Sequence, residues 1–351
     1  MIDTSPFFRC NNNTFEVFVT GLSHTFSRLV REHQTELVDD GLWRINWIAE
    51  QFSEYYEIAS AAEHIIFDCR METIYVANQA KAIINRFNIP KEKCTILISI
   101  TVKDELAGYN YHLDRLAMVN FCGFHDALLS ENINWENIEL DETPIIALCG
   151  RPTEYRAKFT KQLLDLFKDK CRVSFGNSPH YPLSPKRTLL YQSIMDPHEF
   201  PFKKGTDDKI LNTIHLQHNP PGQQLYKSLV SIVHETNDYE QTGIFLTEKS
   251  FKVFAWHQIP IFVATPGHAQ VVRELGFDMF DDIIDHSYDY AHPHVHQLKI
   301  FSQLSKFLAR YPTVHDVREL RKTLWPRIVA NHELVIQLKE NRTVDKWPYY
   351  G

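Results

Sequence analysis

The stretch FLTEKSFKVFAWHQIPIFV, residues 245–263, decides the fold prediction for the second half of the chain. Near its start it has the polar triplet Thr247-Glu248-Lys249; it then turns apolar and closes on a short β-rich run from Ile259 to Val263, which continues to Ala264. Thr247 is a suitable N-cap for the helix that the apolar part predicts, and the closing run predicts a buried strand. A helix that leads directly into a buried strand indicates one unit of an α/β fold with a parallel sheet.

The same alternation extends outward from this stretch in both directions. Further strands are predicted at 64–69, 94–102, 144–150, 171–176 and 227–236. Helices are predicted at 79–89, 151–170, 247–258, 268–277, 297–311 and over the last thirty-odd residues. The fold class that follows is α/β, with parallel sheets covered by helices on both faces and helices at the C-terminus.

A polar, acidic segment at 129–144 interrupts the alternation and ends in proline, which is typical of the approach to a domain boundary. We therefore expect an N-terminal α/β domain over residues 1–140, a second α/β domain over 141–320 and a helical tail over 321–351. Two Rossmann-like domains facing a cleft would bind ligands at the carboxyl ends of their strands.

Composition excludes some classes of protein. Hydrophobic residues make up 44% of the 351 and charged residues 23%, which predicts ordinary globular cores. The formal net charge of −7 gives no general attraction to nucleic acid, although a local basic patch could still bind phosphate. Six singly spread cysteines indicate reduced thiols. We see no signal peptide and no apolar window of membrane length, so we expect a cytoplasmic protein without a membrane span.

The triplet at 247–249 carries the functional argument. A helix N-terminus presents unpaired N–H groups and partial positive charge, which suits an anion. Lys249 adds a full positive charge where acids are usually preferred, and a phosphate group would compensate it. Glu248 could then accept hydrogen bonds from a ribose or sugar hydroxyl. The alternative is that Thr247 is only an N-cap and that its two neighbours interact with the helix dipole and with solvent.

A second cationic position occurs at the equivalent place earlier in the same half. Arg151 and Arg156 bracket the start of the helix that follows the strand PIIALCG. Glu235 and Thr236 stand at the end of a third strand. Cations at two strand-to-helix junctions of one sheet suggest a diphosphate held between them. Both arginines could instead be ordinary surface residues.

These residues resemble the donor-binding region of the α1,3-fucosyltransferases. That family has Phe-Glu-Asn at a strand end, then Tyr-x-Thr-Glu-Lys opening a helix, then a small residue, a proline and a β run. The chain has HET at 234–236 and an outright match at 247–249. Ala255 and Pro260 fall where the pattern expects them.

The resemblance covers roughly residues 144–290 and is specific over about thirty of them. Glu235 matches the acid of the first element, while Thr236 replaces its Asn and Phe245 replaces the Tyr, so fucose is not carried over. Arg156 is the best match to the family's phosphate-binding Arg. The continuation at 267–289 is similar to glycosyltransferase-like proteins of bacteria and phages.

The resemblance implies a GT-B glycosyltransferase that transfers a sugar from a nucleotide-diphosphate sugar. Lys249 and Arg156 would neutralise the leaving diphosphate, with neither a metal nor a cofactor, and the chain has no Asp-x-Asp motif. The acceptor would be a glycan or, if the source is a phage, a hydroxymethylated DNA base. The implied location is a bacterial or phage-infected host cytosol.

Other candidates remain open. His125 and Asp126, in FCGFHDALL, are candidate acceptor-side bases, although a helix start explains them equally well, and Glu54 and Asp68 are no better placed. The run HPHVH at 292–296 fits either zinc ligands on one face of a strand or a solvated loop. The rival functions are a non-catalytic, two-lobed α/β protein that binds a nucleotide or anion, and a structural protein in which the triplet only caps a helix.

Overall fold

The computed structural model describes residues 2–5, 8–11, 14–18, 53, 56–57, 59–70, 74–100, 106–119, 136, 138–150, 154–175, 227–235 and 243–341. The chain divides into two compact units. The first is Met1–Met118 with Thr242–Phe245, and the second is Val119–Gln241 with Leu246–Gly351.

The first unit contains a six-stranded mixed sheet. Its elements are β1 (Ile2–Ser5), β2 (Phe8–Asn11), β3 (Thr14–Phe18), β4 (His64–Asp68), α1 (Ile74–Arg86), β5 (Cys94–Ile98) and β6 (Tyr111–Leu113). The strands lie in chain order; β1, β2 and β3 pair antiparallel, while β3 to β6 pair parallel. The antiparallel edge was not expected from the sequence.

Helix α1 packs against β5 because its apolar residues recur on one face. Ala77, Ala80, Ile83 and Ile84 are all buried, which is the spacing of a 3.6-residue period. All five residues of β5 are buried as well. A strand buried along its whole length reads as a continuous apolar run, which is why the sequence predicted this one.

The second unit contains a four-stranded parallel sheet. Its elements are β7 (Ile145–Gly150), α2 (Glu154–Phe167), β8 (Cys171–Phe175), β9 (Val230–His234), α3 (Glu248–Ala255), β10 (Ile259–Val263), α4 (His268–Glu274), α5 (Pro293–Arg310) and α6 (Val314–Glu340). Every pairing is parallel. Strands β9 and β10 are buried throughout. The α/β class predicted from the sequence is confirmed.

The strand order of this sheet is β10-β9-β7-β8. From β7 the chain proceeds to β8 on one side, and from β9 it proceeds to β10 on the other. The connections therefore run in opposite directions on either side of the β7–β9 pair, which makes that pair the topological switch point. Ligands of open α/β sheets bind at the carboxyl ends of the strands beside such a point.

Helix α6 is the longest element of the second unit and packs against α3. It begins with a capping box between Thr313 and Asp316 and contains Pro326 in its interior. Val317 and Leu324 belong to the unit's main apolar cluster. Helix α6 therefore contributes to the core over much of its length, on both sides of the predicted boundary at residue 321.

Three smaller findings bear on the sequence predictions. The HPHVH run does not form a strand, because α5 begins at Pro293 and takes in most of it. Among the described cysteines, Cys69, Cys94 and Cys171 are free and buried. None of the described helices combines the length and apolarity needed to cross a membrane.

Candidate functional site

The junction between β9 and α3 lies at the carboxyl edge of the second unit's sheet. Glu235 directly follows β9. Thr247 caps α3 as predicted: its backbone is extended, and its hydroxyl oxygen accepts a hydrogen bond from the Lys249 N–H at 3.2 Å. The capped first turn carries Glu248 and Lys249, so the polar triplet occupies the start of a helix beside the end of a strand.

The carboxylate of Glu235 holds this junction together from inside. It is fully buried, with 0% of its side chain exposed. Thr247 Oγ1 donates to Glu235 Oε2 at 2.5 Å, and Ser250 Oγ donates to Glu235 Oε1 at 2.5 Å. A buried carboxylate that accepts from two hydroxyls ties the end of β9 to the first turn of α3.

His268, the first residue of α4, extends the same network. Its Nε2 lies 2.8 Å from Ser250 Oγ and 4.0 Å from Glu235 Oε1. Because the Ser250 hydroxyl donates its only proton to Glu235, Nε2 must carry the proton that Ser250 accepts. Burial lowers the pKa of His268 to about 4, against the opposing effect of Glu235. At neutral pH the ring is therefore uncharged and fixed as the Nε2–H tautomer.

Lys249 is the more exposed charge of the junction, with 28% of its side chain accessible. Its Nζ donates to Thr247 Oγ1 at 3.1 Å and lies 3.3 Å from Glu248 Oε1. Lys252 Nζ reaches the same oxygen at 3.4 Å. Burial raises the pKa of Glu248, but the two lysines outweigh it and bring the pKa down to about 2. Lys249 and Lys252 exceed Glu248 by one positive charge, which the buried Glu235 carboxylate at the same helix start formally balances.

Arg156 reaches the same place from the other side of the switch point. It lies in the first turn of α2 and is only 8% exposed. Its Nη2 donates to the carbonyl oxygen of Glu235 at 2.6 Å. The same Nη2 lies 3.4 Å from the carbonyl oxygen of His234. Glu235 is thus the common point of the site: Arg156 holds its backbone, and the α3 hydroxyls hold its carboxylate.

His234, the last residue of β9, has no hydrogen-bond partner for either ring nitrogen within the described ranges. The ring is 1% exposed and packs edge-on against Phe159 at 4.7 Å. Burial, with added repulsion from Arg156 and His296, holds the pKa of His234 well below its ordinary value. The neutral ring therefore acts as a packing residue at the strand end.

The structure brings together five of the predicted site residues and leaves others apart. The five are Arg156, Glu235, Thr247, Glu248 and Lys249. Phe245 is 4% exposed and makes an antiparallel bridge with Ile100 in the first unit. The remaining candidates lie outside the described residues: Arg151, Thr236, His125, Asp126 and Glu54.

Sequence reasoning missed Ser250 and His268. Ser250 was readable in principle, because it stands three residues after Thr247, where a helix presents both side chains on one face. His268 had no comparable signal. Its role depends on β10 returning α4 to the same edge of the sheet, which no local pattern encodes.

A second polar cluster lies at the carboxyl edge of the first unit's sheet. Asp68 ends β4, and Asp114 directly follows β6. Between them, Arg70 contacts Asp68 through Nε at 2.8 Å and Nη2 at 2.5 Å, and Asp114 through Nη1 at 3.3 Å. Ser99 Oγ donates to the Arg70 carbonyl oxygen at 2.5 Å. Burial lowers the pKa of Arg70, but the two carboxylates more than offset it and raise the pKa above its ordinary value.

Within the described ranges, no group of three or more His, Cys, Asp or Glu side chains is arranged to hold a metal ion. No family model, no curated protein and no solved structure matches this chain.

Proposed function

We propose that the protein is a glycosyltransferase that moves a sugar from a nucleotide-diphosphate sugar to an acceptor hydroxyl, without a metal. One observation carries the proposal: Arg156 and Lys249 flank Glu235 at the switch-point edge of a parallel sheet. Lys249 stands in the first turn of a capped helix. With Lys252 and Arg156, the junction holds three cations against the carboxylates of Glu235 and Glu248, which leaves it one formal positive charge. This is the position where α/β sheets bind phosphorylated ligands.

The chemistry follows from where charge develops. Breaking the bond between the sugar and the diphosphate leaves negative charge on the leaving group, while the sugar passes through an oxocarbenium-like state. The Lys249 ammonium and the N–H groups at the start of α3 would stabilise that charge. The Glu235 network fixes this helix start in advance, so little reorganisation is needed when the charge appears.

The resemblance to the α1,3-fucosyltransferases supports the same assignment. Thr247, Glu248 and Lys249 match that family's donor motif, and Glu235 matches its preceding acid. By this resemblance the architecture would be GT-B, with the donor on the second α/β domain and the acceptor on the first. The acceptor would be a glycan or, for a phage enzyme, a hydroxymethylated DNA base.

A specific observation favours a second candidate, a nucleotide- or anion-binding protein without catalysis. Both carboxylates of the junction are already engaged: Glu235 accepts from two buried hydroxyls, and Glu248 pairs with two lysines. Neither is therefore poised as a general base. The candidate bases His125 and Asp126 lie outside the described residues.

A thermal-shift screen with UDP, GDP, CDP, ADP and TDP, without metal, tests the donor site. One nucleotide at a hundredfold excess over its Kd is expected to raise the Tm by about 5 °C or more. Lys249→Met should raise the Kd for that nucleotide at least about tenfold. Lys161→Met is the matched control, because its side chain is 51% exposed on α2, and it should leave the shift unchanged. No shift with any nucleotide would reject the proposal.

Turnover separates the two candidate functions. A transferase releases the free nucleoside diphosphate from the matching nucleotide sugar, and release accelerates when the correct acceptor hydroxyl is added. A binding protein retains the nucleotide sugar intact at every acceptor concentration. Gel-shift titration of duplex DNA over a range of salt concentrations distinguishes a DNA acceptor, because phosphate contacts make binding strongly salt-dependent.

A further inference from the structure

A cavity of about 490 Å³ lies in the second unit, between Ile138–Leu140 and the first half of α6. Its wall includes Leu140, Arg318, Arg321 and Trp325. This volume falls in the range of small-molecule sites, which combine apolar walls with a few directed polar groups. Neither the wall nor its charges take part in the junction around Glu235.

Three cations of α6 face this cavity. Arg318, Arg321 and Lys322 all line it, at helical positions i, i+3 and i+4. Arg318 Nη2 pairs with Glu139 at 2.9 Å, and Lys322 Nζ pairs with Glu319 at 2.6 Å. The Lys322 pair is substantially exposed and contributes little to stability, so Lys322 can turn to a bound anion at small cost. Arg318 is held in place, because its Nε and Nη2 also donate to the Leu140 carbonyl oxygen at 3.2 and 2.7 Å.

Arg321 differs from its two neighbours because it is buried, at 6% exposure. Its Nη1 donates to the Ile138 carbonyl oxygen at 2.7 Å, and its guanidinium lies 5.0 Å from the centroid of the Trp325 ring. Burial lowers the pKa of Arg321 to about 10. A guanidinium held over an aromatic ring in a poorly solvated wall would be stabilised by a ligand anion beside it.

The aromatic wall is rigidly supported. His257 stacks on Trp325 at 5.2 Å with an interplanar angle of 18°, and His332 stacks on His257 at 4.3 Å with an angle of 26°. His332 Nδ1 lies 3.0 Å from the Ala255 carbonyl oxygen at the end of α3. The position of Trp325 is therefore set before any ligand arrives, which reduces the entropy lost on binding.

We propose that this cavity is a second ligand site, separate from the donor junction, that binds a small planar aromatic carboxylate. The guanidinium of Arg321 contacts the carboxylate, and Arg318 adds positive charge to the cavity wall. Leu140 and the edge of the Trp325 ring contact the ligand ring, because Arg321 and His257 already lie against the Trp325 faces. The proposal does not depend on the glycosyltransferase assignment.

Isothermal calorimetry with 2-naphthoate tests the site, with 2-naphthamide as the uncharged analogue. The carboxylate is expected to bind at least about tenfold more tightly than the amide. Arg321→Gln should remove that preference. Arg310→Gln is the matched control, because Arg310 also lies over an aromatic ring, Tyr311 at 5.2 Å, but does not line this cavity.

The calorimetry would overturn the proposal if it showed no binding of naphthoate, equal binding of acid and amide, or an equal loss in the Arg310 and Arg321 variants. Displacement of naphthoate by a nucleoside diphosphate would also overturn it, because the cavity would then belong to the nucleotide. Failure of the nucleotide screen alone leaves these expectations unchanged.

A second measurement covers the case in which Arg321→Gln does not fold. In wild-type protein labelled with 5-fluorotryptophan, the ¹⁹F resonance of Trp325 is assigned by its loss in Trp325→Phe. Naphthoate is expected to shift that resonance, and naphthamide is not, at the same concentration. A shift confined to any of the other five tryptophans would place the ligand elsewhere and reject the site.

Discussion

The carboxyl edges of the two sheets both carry buried or half-buried charge, but they neutralise it in different ways. In the second unit, Glu235 is satisfied by hydroxyl groups, and the positive charge of Lys249 stays near the surface. In the first unit, the guanidinium of Arg70 lies between Asp68 and Asp114, whose side chains are 12% and 9% exposed.

The difference shows that the carboxyl edge of a parallel sheet is not by itself an anion site. Arg70 has its charge matched by two carboxylates, which leaves that edge with one net negative charge. The carboxylates at such an edge can accept hydrogen bonds from a ligand's hydroxyl groups. Where hydroxyls satisfy the buried acid, the neighbouring Lys249 pairs with Glu248 at 3.3 Å and stays 28% exposed, so a ligand anion can reach it.

The largest expected effect comes from removing the central acid of the second edge. Glu235→Ala leaves the buried hydroxyls of Thr247 and Ser250 without their acceptor, so we expect the free energy of unfolding to fall by about 3 kcal/mol. Urea denaturation measures it. Glu274→Ala, on the exposed face of α4, is the control and should change stability by less than about 0.5 kcal/mol. Equal losses in the two variants would contradict a central role for Glu235.

Acid should act on the second edge through His268. Its pKa is about 4 in the folded protein, against an ordinary value of 6.5. Between pH 4 and pH 6.5, therefore, His268 is mostly protonated in the unfolded chain and mostly neutral in the folded one. Stability is therefore fully present above pH 6.5 and falls as the pH drops toward 4, by about 3 kcal/mol from this group. His268→Gln should make the measured slope of unfolding free energy against pH shallower in that window.

Five further described histidines set the background for this experiment. Burial lowers the pKa of His257 to about 2 and that of His296 to about 3. Burial also holds the pKa values of His64, His234 and His332 below the ordinary value, so all five contribute a slope of the same sign. The His268 variant should therefore reduce the acid sensitivity without abolishing it. The control is exposed His315→Gln, which should leave the slope as it is. A His268→Gln curve parallel to wild type would show that the ring can be charged within the fold.

A smaller effect is expected from breaking the ionic cluster of the first edge. Arg70→Met leaves two facing carboxylates without their shared cation, which should lower the free energy of unfolding by about 2 kcal/mol. Arg70→Lys keeps the charge but loses the planar fork, so about half of that loss is expected. Exposed Arg86→Met on α1 should have almost no effect in the same denaturation assay. A lysine variant as stable as wild type would show that charge alone matters there.

The sequence predicted the parts of this molecule that local patterns encode. Fully buried strands such as β5 and β9 are short, mainly apolar runs. Their length and the turn residues that flank them distinguish them from helices. The cap at Thr247 follows from the preference of its hydroxyl for a helix N-terminus. The placement of Lys249 beside the end of a strand follows from parallel topology, which brings all carboxyl ends to one edge.

The rest depends on contacts between residues distant in sequence. Arg156 as a phosphate ligand stays a prediction, and no local pattern indicates that its Nη2 donates to the carbonyl oxygen of Glu235, 79 residues away. The buried hydrogen bonds of Glu235 likewise require α3 and α4 to return to the same strand end. The antiparallel strands β1–β3 were missed because each has only four or five residues, which is too short for a periodic pattern to be decisive.

The smallest expected effect is also the one that most sharply tests the contrast between the two edges. Lys249→Ala removes an ammonium 3.3 Å from Glu248, but Glu248 retains Lys252 at 3.4 Å, and the Thr247 cap does not need the lysine side chain. We expect urea denaturation to show a change of less than about 0.5 kcal/mol. A loss above about 2 kcal/mol, comparable to that of Arg70→Met, would make Lys249 a structural ion of the same kind as Arg70. Its charge would then be neutralised within the protein and not available to a diphosphate. The assignment of the second edge as the donor site would be rejected.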